Sequence, residues 1–131
     1  MKKILCSTGA LIGMPNNRDF SLIKKCVPNI NSDGFEFMMY STWYDKVPNL
    51  LKELKKCETE FPVMHCEKHI GEDLGKNADG NFYTAKEKFK VNCEIANEIG
   101  AKRMVMHLWD GVYSDTTIEN NIKGYGELIK I

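Results

Sequence analysis

Short apolar runs alternate four times with amphipathic stretches along this chain, and that repetition constrains the fold more than any other feature. Apolar runs lie at Lys3 to Thr8, Phe35 to Met39 or Tyr40, Phe61 to Cys66 and Lys102 to Leu108, each of strand length. After the first run, Asp19 to about Val27 reads as a helix with Leu22, Ile23 and Cys26 on one side, ended by Pro28 and the Asn31-Ser32-Asp33-Gly34 cluster. Val47 to Cys57 follows the second, with Leu50, Leu51, Leu54 and Cys57 at helical spacing and Pro48 in the first turn, where its missing N–H is harmless. The third run leads into a polar segment, residues 67 to 83, expected as a loop. Thr84-Ala85-Lys86-Glu87 then has the form of a capping box, Phe89, Cys93, Ala96 and Ile99 make a stripe, and Gly100 suits a left-handed stop. Thr116-Thr117-Ile118-Glu119 is a second capping box, and its helix carries Ile118, Ile122, Tyr125 and Leu128 or Ile129, weakened by Gly124 and Gly126 by about 1 kcal/mol each.

Strand-then-helix repetition at this period implies parallel strands joined by right-handed crossovers. Two architectures fit, an open doubly wound sheet and an arc of a (β/α) barrel. In a doubly wound sheet, helices cover both faces and the strands are apolar throughout. Here Glu36 stands between Phe35 and Phe37, while His65 and His107 lie near the carboxyl ends of the third and fourth strands. Polar groups at one end of successive parallel strands are what an active site at the top of a barrel needs. The expected fold is therefore α/β, a single domain over residues 1–131 made of four parallel βα units. A complete eight-unit barrel takes about 250 residues, so these units amount to roughly half of one.

Composition narrows the function. Eighteen basic and eighteen acidic residues balance to zero net charge, whereas a dedicated nucleic-acid binder carries a basic excess, so nucleic acid is not an expected partner. Five scattered cysteines form no Cys-x-x-Cys pair and signal neither a zinc knuckle nor a disulfide framework; a reducing, cytoplasmic setting is the simplest expectation. The apolar stretch after Lys2 and Lys3 is broken by Ser7, Thr8 and Gly9, too early for a secretory signal, and no run approaches the ~20 residues of a membrane span.

His65, Cys66, Glu67 and His69 form the densest polar cluster. His65 is either a substrate or metal ligand or a histidine bonded at a strand end, and His69 reads as a loop residue. His107, in Met106-His107-Leu108-Trp109-Asp110-Gly111, carries the same alternatives, since imidazole is both a common metal ligand and a proton carrier near neutral pH. Glu36 is costly to bury ionised and needs a partner, either a polar barrel interior or substrate hydroxyl or an ion pair with a lysine or arginine. Trp43, Tyr44 and Trp109 could wall a sugar ring or pack helices.

Taken together, Gly34-Phe35-Glu36-Phe37, Pro62-Val63-Met64-His65 and the block from Asn92 through Ile99-Gly100-Ala101 to Val105-Met106-His107 resemble the first half of the xylose-isomerase-like superfamily. That superfamily holds sugar phosphate isomerases and epimerases and an endonuclease-four-type branch. The resemblance implies metal-dependent proton transfer on a sugar or sugar phosphate, with a divalent ion (Mn, Mg, Co or Zn). It implies Glu36, His65, His107 and Trp109 as substrate-facing residues, and His65 and His107 as zinc ligands in the endonuclease-like case. The family's usual metal ligands come from later strands, so the expectations include a non-catalytic half-barrel as well as an enzyme. Half a barrel exposes two strand edges and an apolar inner face, and a homodimer or a complementing half-barrel is the expected partner.

Overall fold

In Phe35-Glu36-Phe37-Met38, bulky aromatics alternate with a carboxylate and a thioether, a two-residue period that gives a strand one face to pack and another to leave open. The chain uses it that way. In the computed structural model, which describes residues 3–76, 81–107 and 118–131, Phe35 and Phe37 of strand β2 (Phe35–Met38) are buried, and Glu36 and Met38 are half-buried. Three further strands, β1 (Cys6–Ser7), β3 (Val63–His65) and β4 (Arg103–Val105), pair with it in one parallel sheet of order β1-β2-β3-β4.

Sequential order without reversal means each right-handed crossover advances in the same direction, which carries the helices to one side of the sheet. The helices are α1 (Ile23–Cys26), α2 (Val47–Leu54), α3 (His69–Lys76), α4 (Asn81–Ile99) and α5 (Ile118–Leu128). The main core lies between sheet and helices: Phe35, Phe37 and Met64 meet Ile23 and Val27, Leu50 and Leu54, and Ile95 and Ala96. Burying a side chain such as Phe37 contributes about 2–3 kcal/mol. A smaller cluster of Cys66, Ile70, Leu74, Ala85, Phe89 and Leu128 joins α3, α4 and α5. The opposite sheet face is half open, with Glu36, Val63 and His65 half-buried and Arg103 and Val105 exposed. The parallel sheet and the α/β class agree with the sequence reading. Among the described residues the helices pack on one face of the sheet.

Glycine marks two of the boundaries. Gly34, at φ 143°, turns the chain into β2 where an added Cβ would meet the Glu60 carbonyl at 3.0 Å. Gly100, at φ 73°, ends α4 as expected, with the Ala101 N–H closing back onto the Ala96 carbonyl at 2.9 Å.

Several expectations need correction. The strands are shorter than their apolar runs: Ile4 is 74% exposed before β1, while Met39, Phe61 and Cys66 stay buried just outside the ladder. The first helix is a single α turn flanked by 3-10 turns at Phe20–Leu22 and Val27–Asn29, and Pro28 denies it a longer run. Residues 67–83 are not a loop throughout: α3 forms because Ile70 and Leu74, four apart, both bury against α4 and α5. Helix α4 begins at Asn81, so Thr84 and Glu87 lie inside it and do not open it. On α5, Leu128 is buried and Tyr125 packs, but Ile122 and Ile129 are 59% and 81% exposed. The second capping box falls on Thr116 and Thr117, outside the described residues. No helix among the described residues is long and apolar enough to cross a membrane.

Candidate functional site

Parallel register brings Ser7, Glu36, Val63 and Arg103 into one row across the sheet, and Met38, His65 and Val105 into the next row toward the carboxyl ends. The polar members of these rows touch. Ser7 Oγ donates to Glu36 Oε1 at 3.0 Å, and the same oxygen meets His65 Nδ1 at 3.2 Å. His65 Nε2 then faces His107 Nε2 at 2.8 Å, with the two rings 4.9 Å apart. One hydrogen-bonded ribbon therefore runs across the sheet, from β1 to His107, two residues past β4. A carboxylate only accepts, so His65 carries its proton on Nδ1 and presents a bare Nε2; His107 must then donate from Nε2. The His107 carbonyl is held in turn by the Tyr125 hydroxyl of α5. Burial pushes that phenol up to about 12, which keeps it a donor.

Beside the ribbon lies a cavity of about 140 Å³ lined by Met38, Tyr40, His65, Glu67, His69 and His107, with Arg18 at its rim. Arg18 reaches it from a strained turn. Asn17 and Arg18 both have left-handed backbone, at φ 55° and 52°, a conformation costly for non-glycine residues. The Arg18 carbonyl accepts from Trp43 Nε1 at 2.7 Å, and its guanidinium sits 5.3 Å over the Tyr40 ring. Arg18 Nε is buried with no hydrogen-bond partner among the described residues. A larger groove of about 520 Å³ lies on the far side of Arg18, against Met14, Phe20, Trp43 and Lys46, and holds none of the histidines.

On the Glu67 side of the cavity a second polar cluster runs inward from His69 to buried Glu67 and Asn92. The Glu67 side chain is 1% exposed, and its Oε1 takes both the His69 N–H (3.0 Å) and His69 Nδ1. Fully buried Asn92 ties the elements together. It accepts from the Glu67 N–H at 3.1 Å and donates to the Tyr44 hydroxyl at 3.0 Å and the Lys88 carbonyl at 2.7 Å. Burial first, and then the Glu67 charge, push the Tyr44 phenol above its ordinary value. Burial likewise pushes the neighbouring Cys66 thiol up to about 12, so it is a protonated packing group and not a nucleophile.

Glu36, His65 and His107 thus come together, and the partners of Glu36 are Ser7 and His65 and not a lysine or arginine. Trp109 and Asp110 lie outside the described residues. Trp43 is 2% exposed and stacks on Phe37, so it is a packing residue and not a sugar platform. Ser7, Arg18 and Asn92 were not anticipated. Only Asn92 left a signal: it falls three residues after Phe89, on the apolar stripe of α4, where a polar side chain needs a reason.

A divalent ion, implied by the resemblance, can be tested against these side chains. His65 and His107 direct their Nε2 atoms at one point, and Glu36 behind Nδ1 of His65 is the carboxylate–histidine arrangement that orients metal ligands. Nitrogens sharing a zinc at bonds of about 2.0 Å stand about 3.3 Å apart, so the rings need part by only about half an ångström. The pair fits as two ligands. Among the described residues no set of three or more His, Cys, Asp or Glu is grouped to hold an ion. Comparison of the chain with family models, curated proteins and solved structures finds no match.

Proposed function

We propose that this chain forms four units of a (β/α) barrel of the sugar phosphate isomerase/epimerase kind, and that its strand-end pocket takes a small sugar or sugar phosphate. The observation that carries this reading is the ribbon Ser7–Glu36–His65–His107, set at the carboxyl ends of parallel strands on the face that none of the described helices covers. Active sites of (β/α) barrels occupy that position. Glu36 fixes the ring of His65, and His65 and His107 bind the ligand's oxygens directly or hold a divalent ion. Such an ion, when bound, polarises a carbonyl oxygen and eases loss of the neighbouring proton. Met38 and Tyr40 form the apolar side against which the ligand's carbon skeleton rests.

The open face and the exposed edge at Val105 also support closure by a second set of units, from further chain, from a second copy as a homodimer, or from a separate half-barrel. Light scattering across a concentration series distinguishes these. For the chemistry, proton NMR of ketoses and ketose phosphates in deuterated buffer, with Mn, Mg, Co or Zn added in turn, reads exchange at the carbon beside the carbonyl. Exchange lost in His65→Ala supports the reading. A ligand bound without exchange makes the chain a binding half-barrel, and no binding at all rejects the sugar.

The facing Nε2 atoms of His65 and His107 also favour a zinc-dependent phosphodiesterase acting on abasic DNA. The balanced charge speaks against it. Zinc-dependent cleavage of an abasic duplex, with DNA affinity falling steeply with salt, would establish that second reading.

A further inference from the structure

We propose that His69 is the base that moves the proton in this pocket, and that the buried carboxylate of Glu67 is its positioning residue. This extends the sugar reading above, which supplies the substrate. Two histidines here have a carboxylate on Nδ1, His65 through Glu36 and His69 through Glu67. They differ at the other nitrogen. His65 Nε2 is engaged by His107, whereas His69 Nε2 has no hydrogen bond among the described residues; its nearest charged neighbour is Glu72 Oε2 at 3.8 Å. His69 is 41% exposed at the side chain and lines the cavity.

Glu67 is more than the cap of α3. A cap needs one acceptor for one N–H, and Ser, Asp or Asn serve best. Here a glutamate is buried to 1%, capping with Oε1 while its Oε2 has no hydrogen-bond partner among the described residues. The nearest cation to Oε2, Lys88, stands 4.0 Å away and is already paired with Asp73 at 2.7 Å. Burying a charged oxygen that way is costly, and a cap alone does not offset it. The same carboxylate, held by Asn92 on its backbone N–H, locks the His69 proton on Nδ1 and so leaves the Nε2 lone pair to act.

The step balances within the pocket. His69 Nε2 takes the proton from the carbon beside the carbonyl; the C–H electron pair becomes the C=C bond of an enediolate, and the carbonyl π pair moves to oxygen. Return of the proton to the neighbouring carbon, with the remaining hydroxyl proton of the enediolate passing to the adjacent oxygen, isomerises the sugar, and His69 ends neutral. Glu72 provides a counter-charge while the proton is held.

The test uses the full chain. Nitrogen-15 shifts of the His69 ring should report Nδ1 protonated and Nε2 bare; a bare Nδ1 overturns the proposal without any variant. In the deuterium-exchange assay on ketoses, His69→Gln should lose about 100-fold or more in rate, while saturation-transfer NMR shows ketose affinity within twofold. Glu67→Ala should let the ring revert toward the Nε2-protonated tautomer and slow exchange by tenfold. Exchange that survives His69→Gln within threefold overturns the base assignment and leaves the sugar reading standing. A wild-type chain that neither binds nor exchanges any ketose sinks the sugar reading and with it the proton step, whatever the tautomer.

Discussion

Gly124 and Gly126 lie two residues apart in α5, yet replacing them with alanine should have opposite effects. Alanine in a helix interior is favoured over glycine by about 1 kcal/mol, a gain available at both sites. At Gly126 an added Cβ meets nothing within 4 Å, so the gain is realised, less a little for the nearby helix end. At Gly124 the same Cβ would stand 2.8 Å from Leu74 Cδ2, and Leu74 is 1% exposed among the side chains that join α3 to α5. Overpacking of this kind costs about 1–3 kcal/mol. Gly126→Ala should therefore stabilise by about 0.5–1 kcal/mol, and Gly124→Ala should destabilise by about 1 kcal/mol after the propensity gain is subtracted. In a domain of this size each kcal/mol moves Tm by about 3–5 °C, so the variants should melt about 5–10 °C apart. Urea titration with a common m-value checks that the difference is one of stability. Because Tyr125 holds the His107 carbonyl, the His107 ring resonances should move in Gly124→Ala and stay in Gly126→Ala. Equal stabilisation of both variants would refute the close approach of α5 to α3.

Removing the Asn92 amide (Asn92→Ala) strands the Glu67 N–H and should cost about 1–3 kcal/mol in urea unfolding; a loss below half of that would mean water replaces the amide. The Cys66 thiol is raised from 9.0 to about 12 in the fold, so the unfolded chain releases that proton first. Its contribution is whole below pH 9 and is lost as pH climbs toward 12, at about 1.4 kcal/mol per pH unit. Cys66→Ala should flatten the fall in stability between about pH 9 and 10, before tyrosines of the unfolded chain ionise; an unchanged slope refutes the assignment. In calorimetric titration with zinc or manganese, His107→Ala should weaken binding at least tenfold, and Glu36→Gln by about 10–100-fold through His65. Equal affinity in both variants would remove these residues from any metal site.

Much of the fold was legible because packing follows periodicity. Phe35 and Phe37 announced a strand with one buried face, and Leu50 and Leu54 a helix over it. Gly100 announced the stop before β4. Helix α3 was hidden because Gly71 and Gly75 have low helix propensity, and only contacts with α4 and α5 override it. Ile122 misled for the converse reason: spacing cannot reveal that no described element covers that side of α5. At the site, Glu36, His65 and His107 stood out as polar residues in or beside apolar strands. Ser7 and Arg18 did not, since a serine ending a strand and an arginine in a loop are ordinary until register and a left-handed turn bring them in.

The ribbon from Ser7 to His107 also works as a gauge of alignment. Strands β1, β2 and β3 each contribute one polar group and His107 follows β4; side chains alternate faces with a period of two, so a one-residue slip of β2 or β3 would drive Glu36 or His65 into the apolar layer beneath the helices. An apolar inner face would tolerate several pairings of such short strands with small differences in energy. A chain of mutually dependent donors and acceptors tolerates one. The polar groups of the ribbon therefore also penalise misassembled forms of the sheet, and variants that neutralise it should be judged by the uniqueness of their NMR spectra as well as by their midpoints of unfolding.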